Sequence, residues 1–180
     1  MTATQPVHYA VGSDEKVAQV MAYTTTSLVW GDVVVKEMIR VSTWLRTNAA
    51  PDRITMYNAK VLVTTSASAA KPASFSEVNI SVPSILAFHL SPPAKDPPDY
   101  DPTEPNRKMD PVSVLVGTFV FKGKLRISTS LDMRRHLEVT REPYSALYDV
   151  EVTHLLMGNF GPIVAPYVLV RQEAAIFSKI

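Results

Sequence analysis

Sixteen residues near the start of this chain recur near its middle. Trp30–Leu45 reads WGDVVVKEMIRVSTWL and Val116–Leu131 reads VGTFVFKGKLRISTSL, aligned without a gap at an offset of 86 residues. Seven positions are identical: Gly31/Gly117, Val34/Val120, Lys36/Lys122, Arg40/Arg126, Ser42/Ser128, Thr43/Thr129 and Leu45/Leu131. Two further blocks follow in the same order. Tyr57–Val61 matches Tyr148–Val152 at an offset of 91, and Val78–Phe88 matches Tyr167–Phe177 at an offset of 89. Self-similarity at a near-constant period is the mark of a repeated supersecondary unit. The reading is a tandem duplication with units at 26–90 and 112–180, preceded by a flexible arm (1–25) and separated by a linker (91–111).

Each unit alternates apolar and polar residues with a period of two, the pattern of a strand with one buried face. In the first unit Val33 and Val35 lead to a turn at Lys36-Glu37, and Ile39, Val41, Thr43 and Leu45 alternate with Arg40, Ser42 and Trp44. In the second, Phe119 and Phe121 lead to Lys122-Gly123, followed by Leu125, Ile127, Thr129 and Leu131. Each unit is therefore expected to open with a hairpin. Third strands are predicted at 54–63 and 145–155, and closing pairs at 75–82 with 85–90 and 163–170 with 174–178. Five short strands per unit predict an all-β fold in which each unit is a small barrel or a strongly bent sheet, the two standing as discrete barrels or merging into one sandwich; closure removes exposed edges. The units are expected to pack as a pseudo-two-fold pair. Helix is expected to be scarce: Asp132–Glu138 is the interior candidate, and 14–22 reads as a short helix or a frayed arm.

The linker, SPPAKDPPDYDPTEPNRKMDP, holds seven of the chain's fourteen prolines. Proline fixes φ and removes a backbone donor, so the segment reads as a stiff, extended spacer. Tyr100 is its candidate anchor for a partner.

Composition narrows the function classes. With 46% hydrophobic and 19% charged residues the chain can build a core, and its net charge of +1 lacks the basic excess of a dedicated nucleic-acid binder. It has no cysteine, which removes disulfides and thiolate metal sites. The opening residues show neither a basic n-region nor an apolar core, and no apolar run is long enough to span a bilayer. A soluble, cytoplasmic protein without membrane contact is expected.

The unit layout, with G-x-V-x(6–7)-R-x-S, then Y-N/D-A/V-x-V, then a closing strand pair, resembles the small barrels of the Sm-like and SH3-like kind. It is also similar to uncharacterised bacterial proteins that pair such segments, a resemblance that implies a shape and no activity. Sm-like proteins carry an Asp-x-φ-Asn signature. Asn58 and Asp149 fall at that place here but the preceding Asp is missing, so RNA binding is not implied.

No catalytic, cofactor or metal constellation is expected. His8, His89, His136 and His154 have no metal-ligand spacing, and no His stands beside Ser42 or Ser128 in both units to activate a hydroxyl. The candidates for partner contact are Arg40 and Arg126, which face cross-strand ion pairing as the alternative role; Trp44, read as an outward residue at the seam between units; Tyr100; and Arg134 and Arg135 in the most basic stretch. The expectation is a non-enzymatic module that binds a protein partner or associates with itself. The alternatives are an Sm-like nucleic-acid contact through Arg134–Arg141, and a small-ligand sensor at the cleft between units.

Overall fold

The computed structural model of the chain describes residues 9–65 and 71–180. Among these described residues the first regular element is a strand, β1 (Glu15–Tyr23), followed by β2 (Ser27–Lys36), a 3-10 turn (Val41–Arg46), β3 (Arg53–Val63), β4 (Ala73–Ser81), a second 3-10 turn (Val82–Ser84) and β5 (Ala87–Leu90). The second half repeats the plan with β6 (Arg107–Val116), β7 (Phe119–Ser128), helix α1 (Met133–Val139), β8 (Tyr144–His154), β9 (Ile163–Arg171), a 3-10 turn (Gln172–Ala174) and β10 (Ala175–Lys179). The fold is all-β with little helix. Among the described residues all ten strands form one sheet in the order β10-β6-β7-β8-β9-β5-β1-β2-β3-β4, every pairing antiparallel.

Opposite faces of this sheet carry separate cores. One gathers Val20, Ala22, Val33, Trp44, Ile54, Met56 and Phe88 of the first half with Tyr144, Tyr148, Tyr167 and Leu169 of the second. The other gathers Val112, Val114, Phe119, Phe121, Leu125 and Val168 with Met21, Tyr23, Leu28 and Ala87 of the first half. The strand β1 feeds alternate side chains to both cores, so residues 20–23 are all buried. That explains the continuous apolar run VMAY: a strand covered on both faces loses the alternation that would mark it.

Several sequence expectations are corrected. Residues 15–23, expected in the flexible arm or as a short helix, are a central strand; residues 1–8 of that arm, His8 among them, lie outside the described residues. The hairpins are β1–β2 and β6–β7, turning at 24–26 and at Gly117-Thr118, and not at Lys36-Glu37 or Lys122-Gly123. Residues 41–46, expected as a strand, form the first 3-10 turn, where Trp44 is buried and donates its indole N–H to Ala49 O at 3.0 Å. The offset-86 match does not correspond in space. It pairs Gly31, inside β2, with Gly117, in the β6–β7 turn at φ 59°. The rung that corresponds to Gly31 is Gly123, since each lies at the register shift between its strand and the next (Trp30/Asp32 and Lys122/Lys124). Period-two alternation cannot tell these frames apart, because both place large apolar residues inward: Phe119 and Phe121 in one, Leu125 and Ile127 in the other.

The halves are not closed barrels. The outer edge of β5, which closure would need, is hydrogen-bonded to β9 through Ala87↔Val170 and Phe88↔Leu169. This junction joins the fifth strand of one half to the fourth strand of the other. A two-fold arrangement would require the reciprocal β10–β4 contact, and those strands lie at opposite ends of the sheet, so the expected pseudo-two-fold packing is replaced by a head-to-tail one.

Candidate functional site

Residues 91–106 do not hang free between the halves. They run as a strap across the β8–β9 face, pinned at each residue from Asp96 to Asp101 and again at Glu104. The Asp96 carboxylate accepts the Ser42 N–H at 3.0 Å. Pro97 and Pro98 have no N–H to offer, so only their carbonyls need partners, and Arg40 donates to both. Asp99 accepts the Tyr148 hydroxyl at 2.8 Å and the Tyr167 hydroxyl at 3.0 Å, with the Arg46 guanidinium at 3.7 Å. Tyr100 packs edge-on against Tyr148, with ring centroids 5.1 Å apart, and the Arg126 guanidinium lies 4.8 Å over the Tyr100 ring. Arg126 also donates to Asp101 O at 3.3 Å and pairs with Glu104.

Three of the predicted contact residues thus converge, though not on a partner: Arg40, Tyr100 and Arg126 all hold the strap. Neither arginine pairs across the sheet. Arg40 precedes the first 3-10 turn and Arg126 lies in β7, so their expected equivalence is lost. Trp44 belongs to the core, on the turn that lies against β5 and β9. Arg134 and Arg135 stand apart on α1 and both reach Glu138, at 3.7 and 3.2 Å. Asp99, Arg46 and Tyr167 were not singled out from the sequence; no spacing announces a carboxylate that takes two phenols from different strands.

Between strap and sheet lies a half-open groove of about 430 Å³, walled by Pro97, Pro98, Tyr100, Tyr148, Pro166 and Tyr167. Burial, reinforced by the Asp99 carboxylate, pushes the Tyr148 and Tyr167 hydroxyls far above the usual phenol range. They remain protonated donors and supply neither a base nor a nucleophile. The groove offers apolar and aromatic walls with Lys95, Asp96 and Asp149 at its border.

The second feature open to a partner is the pair of outer strands. Among the described residues, β4 pairs only with β3 and β10 only with β6. Their free backbone groups are templates for an added strand. Among the described residues, no helix is long and apolar enough to cross a membrane, and no three His, Asp or Glu side chains gather as metal ligands would. Searches of protein-family models, curated proteins and solved structures returned no match to this chain.

Proposed function

We propose that this chain is a non-enzymatic binding and assembly module, a five-stranded unit copied and fused, which joins protein partners by strand addition to its sheet. The observation that carries this is the β5–β9 junction. The chain already uses strand addition to join its own halves, and seals the joint with side chains: the Tyr144 hydroxyl donates to Ile85 O at 3.0 Å, and Arg171 donates to Val82 O at 2.8 Å and to Ile85 O at 3.0 Å. The duplication is supported by the common strand order, β5-β1-β2-β3-β4 against β10-β6-β7-β8-β9, and by matched rungs such as Gly31/Gly123 and Tyr57/Tyr148.

Proline on an outer edge tests the reading, because it removes an outward donor without touching the strand's own ladder. Val82 N–H points inward, to Asp52 O, so by alternation the Glu77 N–H points outward. Ser91 N–H donates to Gln19 O on β1, so the His89 N–H also faces β1 and that of Leu90 faces outward; Lys179 on β10, the counterpart of Leu90, therefore carries an outward N–H. Proximity labelling in the source cell should recover proteins that are lost with both Glu77→Pro and Lys179→Pro while circular dichroism stays unchanged. An identical set of labelled proteins for wild type and both variants refutes the proposal.

A further inference from the structure

Resting on the strand-addition reading, we infer that the partner is a second copy of this chain, whose β10 adds to the outer edge of β4 and repeats between molecules the junction that β5 and β9 make within one.

Rung-by-rung correspondence defines the contact. The rungs Tyr23↔Ala87 and Leu115↔Ile176 make Ile176 the counterpart of Ala87, and Phe177 that of Phe88. The rungs Tyr57↔Glu77 and Tyr148↔Tyr167 make Glu77 the counterpart of Tyr167, and hence Asn79 and Ile80 those of Leu169 and Val170. The internal pairs Ala87↔Val170 and Phe88↔Leu169 then become Ile176↔Ile80 and Phe177↔Asn79 between two chains. Continuing the same register sets Lys179 opposite Glu77.

Two independent observations favour this occupant. The first is the outer face of the sheet next to β10. In the first half, Tyr23, Leu28 and Ala87 are rung neighbours, and the internal junction buries all three, to 2% exposure or less. Their counterparts, Leu115, Val120 and Ile176, are again all apolar and again rung neighbours, yet Leu115 and Val120 are only partly covered and Ile176 is 66% exposed. An apolar triplet left open at the position where its twin is covered fits a surface awaiting the same cover. The second is charge. The position that pairs Leu90 with Tyr167 by continuation of the internal register becomes Lys179 with Glu77, both exposed here. Opposite charges facing across adjacent strands favour that register and penalise a like-with-like β4–β4 or β10–β10 pairing. Because the two edges differ, the contact is heterologous and can propagate from chain to chain.

The test uses the full chain. Light scattering after gel filtration should give a mass above the 19.9 kDa of one chain. Ile176→Asp, on an exposed site, should weaken assembly by roughly thirtyfold or more with unchanged thermal unfolding, the effect of losing one buried aliphatic side chain. Lys179→Glu should weaken it by roughly threefold to tenfold, and Glu77→Lys added to Lys179→Glu should restore it. The chain lacks cysteine, so Glu77→Cys and Lys179→Cys can be mixed: the mixture should cross-link under oxidation, and each variant alone should not. The inference is overturned by a chain that stays monomeric, by an assembly indifferent to these variants, or by cross-linking within either single variant. Edge-proline-sensitive capture of other proteins by a monomeric chain would overturn it while leaving strand addition intact; an assembly that forms normally with both edge prolines would sink the two readings together.

Discussion

Asn58 and Asp149 occupy the same point of the two halves, and both hold their backbone in the left-handed region, at φ 48° and 51°. Each side chain reaches back across the sheet to the residue after a glycine: Asn58 donates to Asp32 at 3.2 Å, and Asp149 accepts from Lys124 at 2.8 Å. Asparagine and aspartate are the non-glycine residues that tolerate this conformation best. The bulge lets the preceding strand pass so closely that a Cβ on Gly31 would lie 2.7 Å from Tyr57 O, and one on Gly123 2.8 Å from Tyr148 O. Backbone oxygen cannot swing aside as a flexible side chain can. Gly31→Ala and Gly123→Ala should each cost about 2 kcal/mol and lower the melting temperature by about 4–8 °C. Gly158→Ala, with nothing within 4 Å of the added carbon, should leave it unmoved. A melting curve for each variant checks the contrast.

Stability should fall in mild acid because of a buried imidazole. His89 is fully buried; its Nδ1–H donates to Leu90 O at 2.6 Å and its Nε2 accepts the Tyr23 hydroxyl at 2.9 Å. Desolvation of the charged form, only partly offset by the Leu90 carbonyl, pulls its pKa from 6.5 down to about 4. The unfolded chain therefore binds the proton first. The stabilisation is complete above pH 6.5 and is lost as pH falls toward 4, by about 3 kcal/mol. His136 and His154 are shifted the same way by burial and add to the slope. Urea titrations at stepped pH should show this loss, and His89→Gln should flatten most of it; an equal slope in the variant would count against His89 as its source.

The sequence made the strand content and α1 readable, because alternation in β7 and the Asp132 cap, whose carboxylate accepts the Arg135 N–H at 2.8 Å, are local signals. It did not reveal β1, since burial on both faces erases period two. It misplaced the first matching block by six residues, since the offset-86 frame and the Gly31/Gly123 frame both bury apolar side chains, whereas the Tyr57/Tyr148 match falls on equivalent rungs. The strap was legible only as composition. Its prolines announced an extended segment, but the capture of Asp99 by Tyr148 and Tyr167 depends on strands that lie 49 and 68 residues away in the chain. The open edges were illegible for a similar reason: closure of a five-stranded unit and its junction to a neighbour use the same edge of β5, and only the three-dimensional pairing chooses between them.

Thr64 carries a buried hydroxyl without a hydrogen-bond partner among the described residues. A hydroxyl removed from water and left unpaired costs free energy that a methyl of the same shape does not. Thr64→Val should therefore stabilise the chain by about 1 kcal/mol, whereas Thr64→Ala, which also leaves a void, should not. Chemical denaturation of the two variants separates the outcomes, and a destabilised valine variant would reveal a partner for that hydroxyl.

The strap should come loose when Asp99 is removed. Asp99→Ala strips the acceptor from two largely buried phenols at once, Tyr148 and Tyr167, and takes a carboxylate from beside Arg46. Leaving donors buried and unpaired costs more than the bonds themselves contribute, so a loss of about 2–3 kcal/mol is expected. Tyr148→Phe alone removes one bond and should cost about 1 kcal/mol. In the Asp99→Ala background the same change removes an orphaned hydroxyl and should cost nothing or stabilise, a coupling of about 1–2 kcal/mol between the two residues. Urea unfolding followed by the fluorescence of Trp44, buried in the adjoining core, gives the energies. Trypsin reports the local consequence: Lys95 sits within the strap, and cleavage after it should accelerate in Asp99→Ala well before global unfolding, because the segment would lose its tie to Tyr148 and Tyr167. Additive energies together with an unchanged cleavage rate would mean that Asp99 does not fasten the strap.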